Sequence, residues 1–579
     1  MSTLALPRFM ETSLVDTRRL IIDKRERLGL SRRFNALCVI ALLLAAPQAI
    51  FVASAQQGPK YQQTVLAIQK EIEAGNLENA RSLLAAAEAR YPHDGGLENL
   101  SGVIEIQQGH TTQAAQDFSR AIEQDPRLVS AYLNLTRIEM QSAASDPRIR
   151  QQALRHSLRI IQLDPRNDEA HYQLANLYLW AKQHQLSLNQ LEKLSESARM
   201  QVGAQALFCA DRASLGQRDA TSMAASALSA NPDLTEADAD TCLPALQKAR
   251  RADLIEALFA SVRNPSADAL RILALAQEAN GKLKDARATL EDAFIKSNNS
   301  VVILEDLARI ARAQNDNDGA LGYLAHARDL APHDPQLPYD FAAVCLRLRL
   351  FGEARKALAD ALRLAPDNPD YNLAMGLVVS YSSDPSQAIP YLKRYLDLKP
   401  NEPEGLLALG TADFRAKDYD TAKEWLNRAT GNQKTAPDAY YYLGRIALQM
   451  GNLEDATAEL NKSLSLHPHQ ADTLSQLGQI SLTQRDFKQA SARFEEALRL
   501  EPDNYTANFG LLQLYARTGD PRREKQSQRF DEIKNMKEEQ DRQMMRMIQV
   551  RRDGDGDPQN QSKSENPHTD QPKPHGEPR

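Results

Sequence analysis

His467 and His469 flank Pro468 with the i, i+2 spacing that lets two imidazoles turn toward one soft cation. Two nitrogen ligands do not close a tetrahedral site, so this pair reads as a surface turn and no metal is expected. Further on, Asp553-Gly-Asp-Gly-Asp557 alternates carboxylates as a calcium loop does. The glutamate such a loop needs at its twelfth position would fall on Ser564, and Glu565 is off by one, so a solvated acidic tail is expected instead. Outside the apolar N-terminal segment the cysteines are Cys209, Cys242 and Cys345, each among apolar neighbours. They read as small buried hydrophobes and imply no disulfide framework. The chain has no Gly-x-x-x-x-Gly-Lys phosphate loop, His-Glu-x-x-His pair, Gly-x-Ser-x-Gly elbow or Cys-x-x-Cys. No catalytic residue, enzyme activity or cofactor is expected.

Regular spacing elsewhere explains what the chain is built for. Pro92, Pro126, Pro165, Pro232, Pro332, Pro366, Pro400, Pro468 and Pro502 recur mostly at about 34 residues or near multiples of it, a period that marks a stacked repeat array. Twelve positions before eight of them stand Ala80, Ala114, Ala153, Ala320, Ala354, Ala388, Ala456 and Ala490. Ala422 keeps the same phase ahead of Lys434, where the proline is missing. Four positions after the alanine comes a bulky apolar side chain (Leu84, Phe118, Leu324, Leu358, Leu392, Leu426, Leu460, Phe494). Ten positions after the proline there is usually a small one (Gly102, Ala175, Ala342, Gly376, Gly410, Gly478, and Gly444 counted from Lys434), often with a large residue before it. Apolar recurrence at i, i+3 and i+4 within each half marks amphipathic helices. Proline stops the second helix of each pair, because it disfavours helical backbone in the residue before it.

The pattern resembles the tetratricopeptide repeat family, in which a large-small pair on one helix and an alanine-bulky pair on the next bring the two together. The resemblance implies an all-α fold, a solenoid of helical hairpins wound as a right-handed superhelix of about 13–14 repeats. We place the array at residues 56–519, with a degenerate stretch at about 199–299. Residues 520–552 read as a charged capping helix with a broken apolar stripe, and residues 553–579, rich in Pro, Gly, Asp, Gln and Ser, as a disordered tail.

Residues 1–55 carry a different message. Arg32-Arg33 precede an uncharged run from Phe34 to Ala46, and Ala53 and Ala55 form a small-x-small site. That is the layout of a signal peptide cleaved before Gln56; an uncleaved single-pass anchor is the alternative. Either way the repeats are expected outside the cytoplasm, in a periplasmic or other extracytoplasmic space. The net charge of −6 hides eight Lys or Arg against four Asp or Glu in this segment, which leaves 62 against 72 in the remainder. An array that acidic lacks the electrostatic footprint of a nucleic-acid binder. Contact with membrane is expected only through the N-terminal segment, if uncleaved.

The resemblance also implies that ligands touch fixed positions of each first helix. Counting places Asn99, Asn134, Arg137, Tyr172, Asn176 and Trp180 there in the N-terminal units, and Tyr339, Arg347, Tyr381, Arg415, Tyr441, Tyr442, Arg445, Gln479 and Arg517 in the C-terminal ones. Tyr, Trp, Arg and Asn combine apolar area with hydrogen bonds, the mixture that favours binding hot spots. Val65 and Gln69 stand where the chaperone-binding subclass has lysine and asparagine, so its carboxylate clamp is not expected. Arg347, Arg415 and Arg445 suggest a basic stripe suited to an anionic peptide or polysaccharide. The functional expectation is an exported scaffold that binds proteins or peptides in its groove. The alternative is a polysaccharide secretion or assembly component that docks a glycan-processing enzyme or an outer-membrane pore.

Overall fold

The computed structural model describes residues 59–380, 384–536 and 538. The expected signal segment with Ala53 and Ala55, the site residue Tyr381, the Asp553–Asp557 run and the tail all lie outside the described residues. The chain forms two compact units divided between Ile303 and Leu304.

Among the described residues the N-terminal unit holds seven helical hairpins. They pair Pro59–Glu73 with Leu77–Arg90, Gly95–Gln107 with Thr111–Gln124, Val129–Ala143 with Pro147–Leu163, Asp168–Trp180 with His184–Leu191, Val202–Ser214 with Arg218–Ser229, Glu236–Lys248 with Ala252–Ser261, and Ala267–Ala279 with Leu283–Lys296. The division falls inside the helix Val301–Ala313, whose partner is Asn317–Leu330. The C-terminal unit continues with Gln336–Arg347 and Phe351–Leu364, Pro369–Ser380 and Ile389–Leu398, Pro403–Arg415 and Tyr419–Ala429, Ala436–Gln449 and Leu453–Leu466, and Ala471–Thr483 and Phe487–Leu500. It ends with Tyr505–Thr518, covered by a helix over 523–536. No strand occurs among the described residues.

Each hairpin closes on the spacing read from sequence. All nine alanines of the repeating grid have no exposed surface, and neither do Phe118, Leu358, Leu392, Leu426, Leu460 and Phe494 four positions on. Those bulky side chains lie against the small residue of the first helix. A Cβ added at Gly102 would stand 2.5 Å from the Phe118 ring, and one at Gly444 would stand 2.6 Å from Leu460 Cγ. Glycine is therefore required there for close approach, and each fully buried Phe or Leu adds roughly 2–3 kcal/mol of hydrophobic stabilisation.

The prolines act where expected. The residue before each of Pro92, Pro126, Pro165, Pro332, Pro366, Pro400, Pro468 and Pro502 is extended, with φ between −128° and −140°. At Lys434 the proline is missing and the helix ends differently. Thr430 is still helical at φ −66°, and the Thr435 hydroxyl closes the longer turn by donating to the Ala429 carbonyl at 2.7 Å. Inside the hairpins the corner needs one left-handed residue. Gly109 supplies it at φ 83°, but Lys417 does so at φ 66° with a side chain.

Through residues 199–299, where the grid thins, hairpins persist on another core. Cys209, Leu228, Cys242, Leu246, Leu258 and Phe259 fill it, and a Thr235–Asp238 capping box starts the helix that carries Cys242. The helix over 523–536 buries Phe530 and Ile533, with the Phe530 ring 4.9 Å from Tyr505 and 5.3 Å from Phe509. Its register is fixed by Gln526 Nε2, which donates to the Asn508 carbonyl at 3.0 Å. No helix among the described residues is long and apolar enough to cross a membrane.

Candidate functional site

In the N-terminal unit three of the six predicted residues, Asn99, Asn134 and Arg137, join Glu169 and Gln173 in one polar chain across three repeats. Asn134 Nδ2 donates to Asn99 Oδ1 at 3.1 Å, and both side chains are buried. Arg137 donates to Asn134 Oδ1 at 3.1 Å and grips Glu169 with two bonds of 2.6 Å. Gln173 adds a bond to Glu169 at 3.0 Å. Such a fork-to-carboxylate pair is among the stronger charge-assisted contacts, and it neutralises the only arginine of the predicted N-terminal set. Tyr172 packs its hydroxyl onto Gly203 of the next first helix, where an added Cβ would meet the oxygen at 2.5 Å. Burial pushes the Tyr172 hydroxyl above its ordinary range. Asn176 Nδ2 bonds the Tyr172 carbonyl at 3.1 Å, and Trp180 is half-buried against the cluster of Ala143, Ala153, Leu174 and Leu177.

The C-terminal unit gathers aromatics and cations instead. The Arg445 guanidinium lies 4.7 Å from the Phe414 ring centroid, 5.5 Å from Tyr441 and 5.9 Å from Tyr442. Phe414 meets Tyr442 edge-on at 5.4 Å, and Tyr441 meets Tyr442 at 5.3 Å. Ring faces attract a guanidinium, so three aromatic side chains hold this cation. Tyr339 stacks on Tyr371 at 4.8 Å, and burial raises the hydroxyls of Tyr339 and Tyr441. Arg415 Nη1 donates to the Ser380 carbonyl at 3.2 Å and Arg517 Nη1 to the Leu482 carbonyl at 3.1 Å. Each thereby satisfies the C-terminal end of the preceding first helix. Gln479 donates to Gln513 at 3.3 Å, and Arg347 is exposed.

Three features escaped the sequence reading. Asp370, Glu404, Asp438 and Asp472 recur once per repeat, in the first turn of consecutive first helices. They accept from Lys399 at 3.1 Å, Lys434 at 3.5 Å, Gln470 at 3.0 Å and Asn504 at 2.9 Å, tying each repeat to the turn ahead of the next. The strict phase of these acids against the proline grid was the available cue. Asp413 is 2% exposed and its Oδ2 has no hydrogen-bond partner. Burial, then the charge of Asp418, push its carboxyl up to about 6, against the opposing pull of Lys393. Cys209 and Cys242, on adjoining first helices, share one core, and the Cys242 thiol points at the Ala206 carbonyl at 3.3 Å. Contact with Cys209, then burial, push the Cys242 thiol well up, which makes it a poor nucleophile.

Among the described residues no group of three His, Cys, Asp or Glu side chains converges as a metal site, His467 and His469 included.

A family model described as tetratricopeptide repeat matches residues 67–129, 243–300 and 476–523, and a second of the same description matches 311–377. A model described as anaphase-promoting complex, cyclosome, subunit 3 matches 384–463. No curated protein matches the chain. Among solved structures it is similar to a tetratricopeptide repeat protein from Parabacteroides merdae ATCC 43184, at 18% identity over 43% of this chain and 98% of that one, with a TM-score of 0.37. It is also similar to YrrB, described as a TPR protein with an unusual peptide-binding site, at 23% identity over 32% of this chain and 95% of that one, TM-score 0.30. The Cut9-Hcn1 hetero-tetramer of the anaphase-promoting complex matches at 16% identity over 78% of this chain and 90% of that one, TM-score 0.34. Repeat models that fall in both units, on hairpins seated by buried alanines in a single phase, make this chain a tetratricopeptide repeat protein.

Proposed function

We propose that the chain is an exported, non-catalytic scaffold that holds segments of partner proteins along the first helices of its repeats in a cell envelope. The observation that carries this reading is the Arg445 cluster. Tyr441, Tyr442 and Arg445 are half-buried over the buried Phe414 of the preceding first helix, a mixed aromatic and cationic cluster in which rings hold the guanidinium. Such mixed aromatic and guanidinium surfaces are what protein partners use as anchors. Export is supported by the sequence of residues 1–55 alone.

A photo-reactive phenylalanine analogue at Tyr442, installed in the full chain in its own cells, tests the binding half. Defined protein partners should cross-link from Tyr442 and not from Lys356, an exposed position on a second helix. Equal labelling from both positions, or glycan in place of protein, would count against the reading. N-terminal sequencing of the mature chain tests export: a start at Gln56 or an intact anchor outside the cytoplasm is expected, and an intact cytoplasmic chain would refute it.

A further inference from the structure

The arginines grouped as a stripe in the sequence have different fates. Arg415 and Arg517 each reach back one repeat to a carbonyl, those of Ser380 and Leu482. The same step back from Arg347 arrives at Arg312, near the end of the helix Val301–Ala313. The charge of Arg347 reaches Arg312. Arg312 Nε is buried with no hydrogen-bond partner, and neither Arg312 nor the exposed Arg347 has an ion pair among the described residues. Burial, then the charge of Arg347, push the Arg312 guanidinium below its ordinary range, while Asp340 pulls the other way. Asp340, the acid whose charge reaches Arg312, accepts from Gln336 at 2.8 Å and leaves Arg312 Nε without a partner. Two interacting cations, one with a dry unused donor, are unfavourable together unless an anion joins them.

We propose that Arg312 and Arg347 form a subsite for a side-chain carboxylate of an acidic segment in a partner protein; this rests on the scaffold reading above. A carboxylate presents two coplanar oxygens, which match the parallel N–H pairs of a guanidinium. Asp340, whose charge also reaches Arg312, disfavours the double charge of a phosphate. Tyr339, half-buried and stacked on the buried Tyr371 at 4.8 Å, offers the accessible part of its ring in the same repeats to the chain that carries the carboxylate.

The test is fluorescence anisotropy of the full chain with a dye-labelled, C-terminally amidated hexaglutamate. Hexaglutamine, a neutral peptide with a free C-terminal carboxylate, and oligogalacturonate serve as competing sources. Hexaglutamate should bind in a salt-sensitive manner and the others should not compete. Arg347→Gln and Arg312→Gln should each weaken binding at least tenfold with unchanged circular dichroism, while Arg517→Gln leaves it within twofold. Arg312→Gln should also raise the Tm of the unliganded chain, an effect opposite to misfolding. Failure of hexaglutamate to bind, unchanged affinity in Arg347→Gln, or stronger competition by the free C-terminus or by oligogalacturonate would overturn the proposal. Those outcomes leave the Tyr442 cross-linking result untouched, so the two readings can fail separately.

Discussion

Arg137 in the N-terminal unit and Arg347 in the C-terminal unit both stand on first-helix positions where the sequence leads us to expect ligand contact. Arg137 is locked between Glu169 and Asn134 with bonds of 2.6 to 3.1 Å, whereas Arg347 is exposed and its charge reaches another arginine. The same residue type therefore bridges repeats in one unit and, on the proposed reading, is left to a partner in the other. In a stacked array the distinction matters, because every first-helix side chain can be used either by the next repeat or by a ligand. Polar residues that bond across repeats, such as Asn99, Asn134 and Glu169, stiffen the stack. Those held only by rings, or by nothing, mark where the unit has binding capacity left over.

Both units share the same interior, and removing it has the largest expected effect. Phe118→Ala and Phe494→Ala each delete a fully buried ring that faces a first-helix glycine, and each is expected to destabilise its own unit by about 3–5 kcal/mol. Hydrogen exchange should quicken around the mutated hairpin far more than in the other unit; uniform quickening would mean the two behave as one cooperative body.

Asp413→Asn should act in the opposite direction. Since the folded state holds its carboxyl at about 6, above the unfolded range near 4, the folded chain binds that proton more tightly. Its contribution to stability is greatest below about pH 4 and is lost as pH rises through about 6. The asparagine variant should therefore be more stable at pH 7 by about 2–3 kcal/mol and lose that slope. Urea titrations at pH 4.5 and 7 would detect it, and a destabilised variant at pH 7 would show that Asp413 has a partner when ionised.

Arg137→Ala and Arg347→Ala sharpen the comparison directly. The first strands Glu169 and Asn134 and should destabilise by about 1–2 kcal/mol, while the second should stay within about 0.5 kcal/mol. Equal losses in denaturant melts would erase the distinction between the two units. At Lys417→Gly, relief of the left-handed corner at φ 66° should add about 1 kcal/mol; a loss in the same melts would mean the lysine side chain holds that corner.

The hairpins were legible in the sequence because their spacing is set by local geometry. Ala80 through Ala490 repeat in phase because only a methyl fits where the two helices touch, and all nine are buried without remainder. The prolines fixed the turns through a clash with the preceding residue, again a local effect. The occupancy of the groove was not legible, since it depends on which neighbour answers a side chain one repeat away. Arg415 looks the same in sequence as Arg347, yet the Ser380 carbonyl of the preceding repeat holds the first. Arg312 escaped notice because its repeat follows Asn298 where others have proline, which hid its register. Cys209 and Cys242 read as scattered, although a separation close to one repeat length places both in one core.

Hydrogen exchange of the full chain with and without hexaglutamate addresses the unequal units most directly. Protection is expected in Val301–Ala313 and Gln336–Arg347, with Gly95–Gln107 and Val129–Ala143 unchanged. Protection of the N-terminal helices in place of these, or none in either set, would contradict the account.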